Sequence, residues 1–283
     1  MGRAGPVRDA GPGHHVGPVQ GADGLVRIGP RVRTIGAMDA TGDAPRRWLG
    51  EYVYPVSHRV IELVAIVVWI GCTAALAARV VAAAADQLSL GVALGMAASA
   101  FAAYLAADFL SGLVHAVCDN LGSVDTPVVG QKFIRSFREH HTDPLDMTRG
   151  DFVRVNADNF LVCLPVVIPV LLWVDIDAHL FLGTFVLVLV GLVVVTNQIH
   201  KWAHIARIGE PVPAPVAWLQ RRGLILSADH HEIHHTPPHE SHYCITSGIT
   251  NPFLTRIGFW PVLMRACRSI GRHLAGSPAS AEP

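Results

Sequence analysis

Apolar residues fall in four long stretches of this chain, at about 60–83, 88–115, 160–174 and 178–196, with polar and charged residues between them. A helix needs roughly 20 residues to cross a bilayer. The first, second and fourth stretches therefore predict membrane-spanning helices. The third is short and contains Pro165 and Pro169, and extending it back to Phe152 or Val153 would bury polar residues. Asp175 and Asp177 interrupt the pattern before the fourth stretch and predict a tight hairpin there. A single pass from 160 to 196 would be far too long. The pattern gives an all-α integral membrane protein of about four transmembrane helices.

The first 45 residues are rich in glycine and proline and lack an apolar segment of signal-peptide length. They predict a disordered, uncleaved tail over 1–45, and Met38 offers an alternative start. The membrane domain is expected over 46–270 and a second disordered tail over 271–283. Composition agrees with a membrane protein, with 51% hydrophobic residues, 16% charged residues and a mean hydropathy of +0.38. The formal net charge of +0 conceals an asymmetry. Four passes place the N-terminus, the 116–159 loop and everything after 196 on one face. That face carries all but one of the 22 Lys and Arg residues, Arg79 being the exception. The positive-inside rule makes it cytoplasmic. Arginine far outnumbers lysine, and alanine and glycine abound, as in a GC-rich bacterial genome, so a bacterial cytoplasmic (inner) membrane is expected. No nucleic-acid partner is expected. The five cysteines, Cys72, Cys118, Cys163, Cys244 and Cys267, form no CxxC pair, so neither a disulfide scaffold nor a thiolate zinc site is supported.

Almost all the clustered histidines lie on the same face. In ADFLSGLVHAVCDNLGS, Asp108, His115 and Asp119 share one helix face within about 40°. Ionisable residues at membrane depth are costly and mark function; the alternative is a carboxylate–histidine pair that joins helices. FREHHTDP holds His140 and His141, which a short helix or turn can aim inward together. In TNQIHKWAH, His200 and His204 stand at i and i+4, a spacing that offers two imidazoles to one metal ion. Asn197 shares their side as a ligand or orienter, and Lys201 and Trp202 suit an interfacial anchor. Six histidines then fall within SADHHEIHHTPPHESHYC. Asp229 with Glu232 reads as a capping box for a short helix that Pro237 and Pro238 end. On it His231, His234 and His235 share a face, and His230 widens the set. Imidazoles are mostly neutral at neutral pH and free to bind a metal. His14, His15, His58, His179 and His273 stand apart, and His242 is left open.

His115, His140, His141, His200, His204, His231, His234 and His235 supply eight imidazoles, more than one four-coordinate ion accepts, which suits two ions. Imidazole serves Zn, Cu, Fe and Ni alike. A nitrogen-rich two-metal site at the cytoplasmic edge of a helical bundle suits oxygen activation on lipid chains, because no side chain alone can abstract an unactivated hydrogen.

The HxxxH of His200–His204 and the HxxHH of His231–His235 match the histidine boxes of membrane-bound di-iron desaturases and hydroxylases. More narrowly, the chain resembles the Kua family of lipid desaturases, the CarF-type plasmanylethanolamine desaturase group. The carrying segments, over about 110–260, are GLVHAVCDNLGSVDTPVVGQKFIRSFREHHTDPLDMTRGDF, NADN, TNQIHKWAH and HHEIHHTPPHESHYCITSGITNPFLTRIGFW. The resemblance implies a cytosolic-side histidine-rich di-iron cap holding two Fe ions, with O2 as co-substrate. It implies removal of two hydrogens from the first two carbons of the sn-1 alkyl chain of an ethanolamine ether phospholipid, giving a vinyl ether. Electrons would come from an external redox protein of ferredoxin or cytochrome type. Catalytic metal-box roles carry over to the eight histidines above, and metal-holding roles also to Asp119, His230 and His239. The chain departs from the family at Gly150, where a histidine is expected, and at Ala116, where an aromatic is expected; His242 is the candidate replacement ligand. An acyl-lipid desaturase and a histidine-rich membrane metal carrier or sensor are the competing readings. Arg135, Arg138 and Arg154 are candidate phosphate contacts, equally explained as positive-inside residues.

Overall fold

The computed structural model describes residues 55–274. The expectations for 1–45, Met38, His14, His15, the side chain of His273 and the chain after 274 fall outside them. Within them the chain is helical, with no strand: α1 (Val56–Asp86), α2 (Leu90–Asn120), a π-helical turn (Gly130–Ile134) continuing into α3 (Arg135–Thr142), α4 (Asp146–Arg149), α5 (Phe152–Trp173), α6 (Leu180–Arg207), α7 (Ala214–Arg221), α8 (Ala228–His235), α9 (Asn251–Arg256) and α10 (Phe259–Leu274). α10 thus continues into the stretch read above as a C-terminal tail.

Helices α1, α2, α5 and α6 are long and apolar enough to cross a membrane. Their outward faces carry exposed Val60, Val64, Val67 and Ile70 on α1 and Leu94 and Phe101 on α2. Lipid tolerates such a surface, whereas water would penalise it. α1 packs on α5, α2 on α6, and α5 on α6. Leu76, Val80, Phe160, Val167, Leu180 and Val190 fill the middle of the bundle.

The third span gains its length where the sequence made it improbable. α5 starts at Phe152, capped by Asp151, whose Oδ1 accepts from the Arg154 N–H at 2.9 Å. The amide N–H groups this buries find acceptors, while Asn156 Oδ1 is left without a partner. Asn156 Nδ2 donates to the Phe152 carbonyl and to Gln198 Oε1, and Asn159 Nδ2 donates to the Val193 carbonyl. Such bonds between helices offset the cost of taking amides out of water. Pro165 and Pro169 lie inside α5, within a bundle whose neighbouring helices support it. The hairpin after it forms as expected, with Asp175 Oδ1 accepting from the Asp177 and Ala178 N–H groups. Arg79, the one Lys or Arg at this end among the described residues, donates to the Leu171 and Val174 carbonyls and caps α5.

Helix length positions the functional end. At about 1.5 Å per residue, the 31 residues of α2 and the 28 of α6 exceed a hydrocarbon core of roughly 30 Å. The two are parallel, and their surplus C-terminal turns emerge side by side. Those turns carry His115, Asp119, His200 and His204.

Candidate metal centre

Four elements converge at this end. α2 contributes His115 and Asp119, α3 His140 and His141, α6 His200 and His204, and α8 His231, His234 and His235. α8 starts two residues earlier than the sequence suggested. Ser227, not Asp229, is the N-cap, its hydroxyl accepting from the His230 N–H at 3.3 Å. Asp229 sits in the first turn, where a carboxylate favours the helix dipole. Glu232, freed from a capping box, pairs instead with Arg207 on α6, fixing α8 against it. The neighbouring histidines of α3 both reach the centre, His140 in both groups and His141 in one, their rings 4.2 Å apart between centroids.

The imidazoles form two adjoining groups. His140, His200, His204, His231 and His235 make one, and His115, His140, His141 and His234 the other; within each group the ligand atoms all lie within 4.8 Å of one another. His140 belongs to both. In the first, the Nε2 atoms of His200 and His231 are 2.7 Å apart, His204 is 3.1 Å from each, and His235 is 3.0 Å from His231. Each Nε2 is either a donor or an acceptor. In the triangle of His200, His204 and His231 at least one pair must therefore be alike, so hydrogen bonding alone cannot satisfy it. Metal–nitrogen bonds of about 2.0–2.1 Å put ligands at right angles about 3.0 Å apart, which matches these spacings. In the second group Asp119 Oδ2 lies 3.0 Å from His141 Nε2, 3.5 Å from His115 Nε2 and 3.8 Å from His234 Nε2.

The surroundings aim these atoms inward. His115 Nδ1 is 3.1 Å from the Tyr243 carbonyl and His234 Nδ1 is 2.8 Å from the Ser241 carbonyl. A carbonyl only accepts, so both rings carry their proton on Nδ1 and turn an Nε2 lone pair into the centre. His115 Nε2, both nitrogens of His140 and Asp119 Oδ1 are buried without a hydrogen-bond partner. Burial and the facing imidazoles hold His140 and His231 well below the usual histidine range. The same causes bring His234 down to about 3 and His235 to about 2. Several donor atoms are thus buried without a partner, with one carboxylate beside them, and the set fits metal cations.

Other candidates are placed elsewhere. His230 accepts from Asn251 Nδ2 at 3.1 Å and packs over Gly248, facing away from both groups. The reason is helical geometry: on α8 it is turned about 100° from His231. His242 stands 5.4 Å from the His230 ring and bonds Ser241, so it does not replace a ligand at Gly150. His239 flanks the centre, its ring 5.1 Å from His141, while its Nδ1 donates to the His234 carbonyl. Asn197 donates to the Val155 carbonyl. Lys201, read as an anchor, donates to the Gly150 carbonyl and ties α6 to the start of α5. Arg138 donates to the Cys118, Leu121 and Gly122 carbonyls and caps α2, while Arg135 is held by Glu139 and Gln131.

Asp108 serves a purpose the helix-face argument did not resolve. Fully buried, it accepts from the Ser247 and Gly248 N–H groups through Oδ1, and from the Thr250 N–H and hydroxyl through Oδ2. It anchors the loop whose Ser241 and Tyr243 carbonyls orient His234 and His115. Glu62, also missed, is a carboxylate inside an apolar span, and that isolation was its signal in the sequence.

Four helices able to cross a membrane, ending in two adjoining histidine-rich sites, define a helical membrane protein with a candidate two-metal centre. The chain belongs to the lipid desaturase domain family, whose profile matches residues 104–273. It is 46% identical over 163 residues to the plasmanylethanolamine desaturase of Myxococcus xanthus, covering 57% of this chain and 57% of that one. It is 45% identical over 178 residues to plasmanylethanolamine desaturase 1 of Mus musculus, covering 60% and 62%. Against the chloroplastic fatty acid desaturase 4 of Arabidopsis thaliana it is 35% identical over 160 residues, covering 56% and 47%. The chain thus spans less than two thirds of the length of these curated relatives. No solved structure matches it.

Proposed function

We propose that this protein is a lipid desaturase that introduces the 1′–2′ vinyl ether double bond into the sn-1 alkyl chain of an ether phospholipid, using O2 and two iron ions. The carrying observation is the pair of adjoining imidazole groups, in a chain 46% and 45% identical to two proteins named plasmanylethanolamine desaturase. His200, His204, His231 and His235 would hold one iron and His115, Asp119, His141 and His234 the other, with His140 shared between the two groups. With O2 and electrons from an external ferredoxin- or cytochrome-type donor, the irons would supply the oxidising power that unactivated C–H bonds require.

The protein's own contribution is placement. Neutral imidazoles leave their lone pairs available, and Asp119 offsets part of the added positive charge. The Tyr243 and Ser241 carbonyls fix two rings before any metal arrives, which lowers the cost of ordering them. Burial of His115, His200, His204 and His231 keeps bulk water from the reacting chain. Because His115, Asp119, His200 and His204 stand on surplus turns at the edge of the bilayer, the centre suits oxidation at carbons close to the glycerol. The charge asymmetry supports placing this edge at the cytoplasmic face of a bacterial inner membrane.

The 35% identity to fatty acid desaturase 4 supports a second reading, an acyl-chain desaturase. Expression in a host that makes alkyl ether lipids separates the two: acid-labile vinyl ethers are expected, and a new acyl double bond instead would establish the second. His200→Ala, His231→Ala and His235→Ala should each abolish product while the protein still inserts. Wild-type turnover in any two of them would refute the metal assignment.

A further inference from the structure

Removing two hydrogens from an alkyl chain releases two electrons and two protons, whereas reducing O2 to two waters consumes four of each. Each cycle of the reaction proposed above therefore takes two electrons from the donor and two protons from solvent. Burial that keeps bulk water from the reacting chain also keeps bulk protons from the centre. Imidazole nitrogens that hold metal have no lone pair left for a proton. The protons need a route of their own.

A cavity of about 110 Å³ adjoins the centre, and its lining reaches the buried His140 and His200. Asp146 and Arg154 in that lining are open to solvent, Lys132 and Asp158 are largely covered, and Glu62 of α1 is only 3% exposed. Ser136 and Asn197 continue the polar wall, each one helical turn before His140 or His200. The lining thus runs from solvent to the metal ligands, and a polar cavity of this size takes a few waters. Lys132 Nζ lies 3.0 Å from Glu62 Oε1 and 2.8 Å from Asp158 Oδ1, so one cation faces two carboxylates. The second oxygen of Glu62, Oε2, is buried without a hydrogen-bond partner. A carboxylate oxygen left in that state is costly, and a water in the cavity relieves it.

We propose that this cavity holds a chain of waters along which Glu62 relays protons from the aqueous side to the metal centre. The inference rests on the desaturase reading above and supplies the protons which that reading consumes. Glu62 takes a proton from water on the solvent side and gives one up to the waters beside His140 and His200, so each passage leaves it unchanged. Lys132 offsets its negative charge between passages.

The test separates proton delivery from lipid binding and from assembly. Full-length, metal-loaded protein is assayed with an electron donor and an alkyl ether phospholipid. Glu62→Gln keeps the size of the side chain but has no proton to pass. Its kcat should fall about tenfold or more, with lipid KM and metal content as in wild type and a larger solvent deuterium isotope effect. Glu62→Asp should recover part of the loss. Formate, a carboxylate small enough for the cavity, should raise turnover of Glu62→Gln and not of wild type. If Glu62→Gln does not fold, Asp158→Asn must show the same fall and the same isotope effect. Unchanged kcat and isotope effect, or a loss carried by lipid KM or metal content, overturns the inference. A second readout needs no turnover: Glu62→Cys should be modified by a small water-soluble thiosulfonate, located by mass spectrometry of the peptide holding residue 62. Protection of that cysteine overturns the relay alone; modification there without any unsaturated lipid from wild type overturns the reaction proposed above.

Discussion

Asp108→Asn replaces a single oxygen and should loosen one half of the metal centre from a distance. Asp108 accepts four hydrogen bonds from one loop: at 2.7 Å from each of the Ser247 and Gly248 N–H groups, 3.0 Å from the Thr250 N–H and 2.6 Å from its hydroxyl. The two carboxylate oxygens take all four donors. In asparagine one side becomes an NH2 that confronts N–H groups; the Thr250 hydroxyl can reverse its role, but a backbone N–H cannot. Bonds to a charged acceptor contribute about 1.5–3 kcal/mol each and bonds to a neutral one about 1. Losing one or two and weakening the rest should cost about 4 kcal/mol, localised in the loop that carries the Ser241 and Tyr243 carbonyls. His234 and His115 would then lose the partners that fix their rings, a change that typically costs 10–100-fold in metal affinity. His200, His204 and His235 do not depend on this loop. Purified Asp108→Asn protein, dialysed against a graded chelator and analysed for metal, should therefore fall from about two ions per chain to about one before wild type loses any. Thr250→Val, which removes a single hydroxyl donor, should show a smaller shift in the same direction. If Asp108→Asn kept both ions at every chelator concentration that wild type withstands, with an unchanged thermal midpoint, the loop would not be what orients the two histidines.

Other substitutions test the remaining logic. Because His140 belongs to both groups, His140→Ala should deplete both ions, whereas His204→Ala should deplete only one; metal analysis of the two purified variants distinguishes them. Metal-stripped protein should lose stability on acidification: His234 and His235 are held to about 3 and about 2, against 6.5 when unfolded. The unfolded chain therefore takes up protons that the folded cluster refuses, and each group should cost about 1.4 kcal/mol by pH 5.5 and nothing above about pH 7. Thermal midpoints that did not fall between pH 7.5 and 5.5 would contradict this. Gly112→Ala should cost about 1–3 kcal/mol, since its Cβ would meet Cys244 Sγ and stand 2.9 Å from the Cys244 backbone nitrogen, forcing α2 off the loop; chemical denaturation in detergent reads it.

What was legible in the sequence followed from local pattern. Four spans could be read because long apolar runs need no distant partner to be recognised. The i, i+4 pair His200–His204 and the His231–His235 face could be read because helical periodicity alone puts their rings on one side. Long-range pairing was not legible. The start of α5 depends on Gln198 and Val193 accepting from Asn156 and Asn159, and these lie across the bundle. Asp108 finds its donors near residue 250, and Glu62 meets Lys132 only after α2 has turned back. His230 lies outside both groups because one helical step from His231 aims it at Asn251 instead. Asp229 lost the cap to Ser227 for an equally local reason, that two adjacent polar residues both suit the position.

The surplus turns of α2 and α6 govern how this centre would respond to its lipid surroundings. The two helices run parallel and overshoot together, so a thicker or thinner bilayer is met by tilting both. Hydrophobic mismatch then shifts the depth of the imidazoles as a unit while their mutual spacing stays fixed. Membrane thickness would thus set how deep the histidines sit and leave the spacing within each group unchanged.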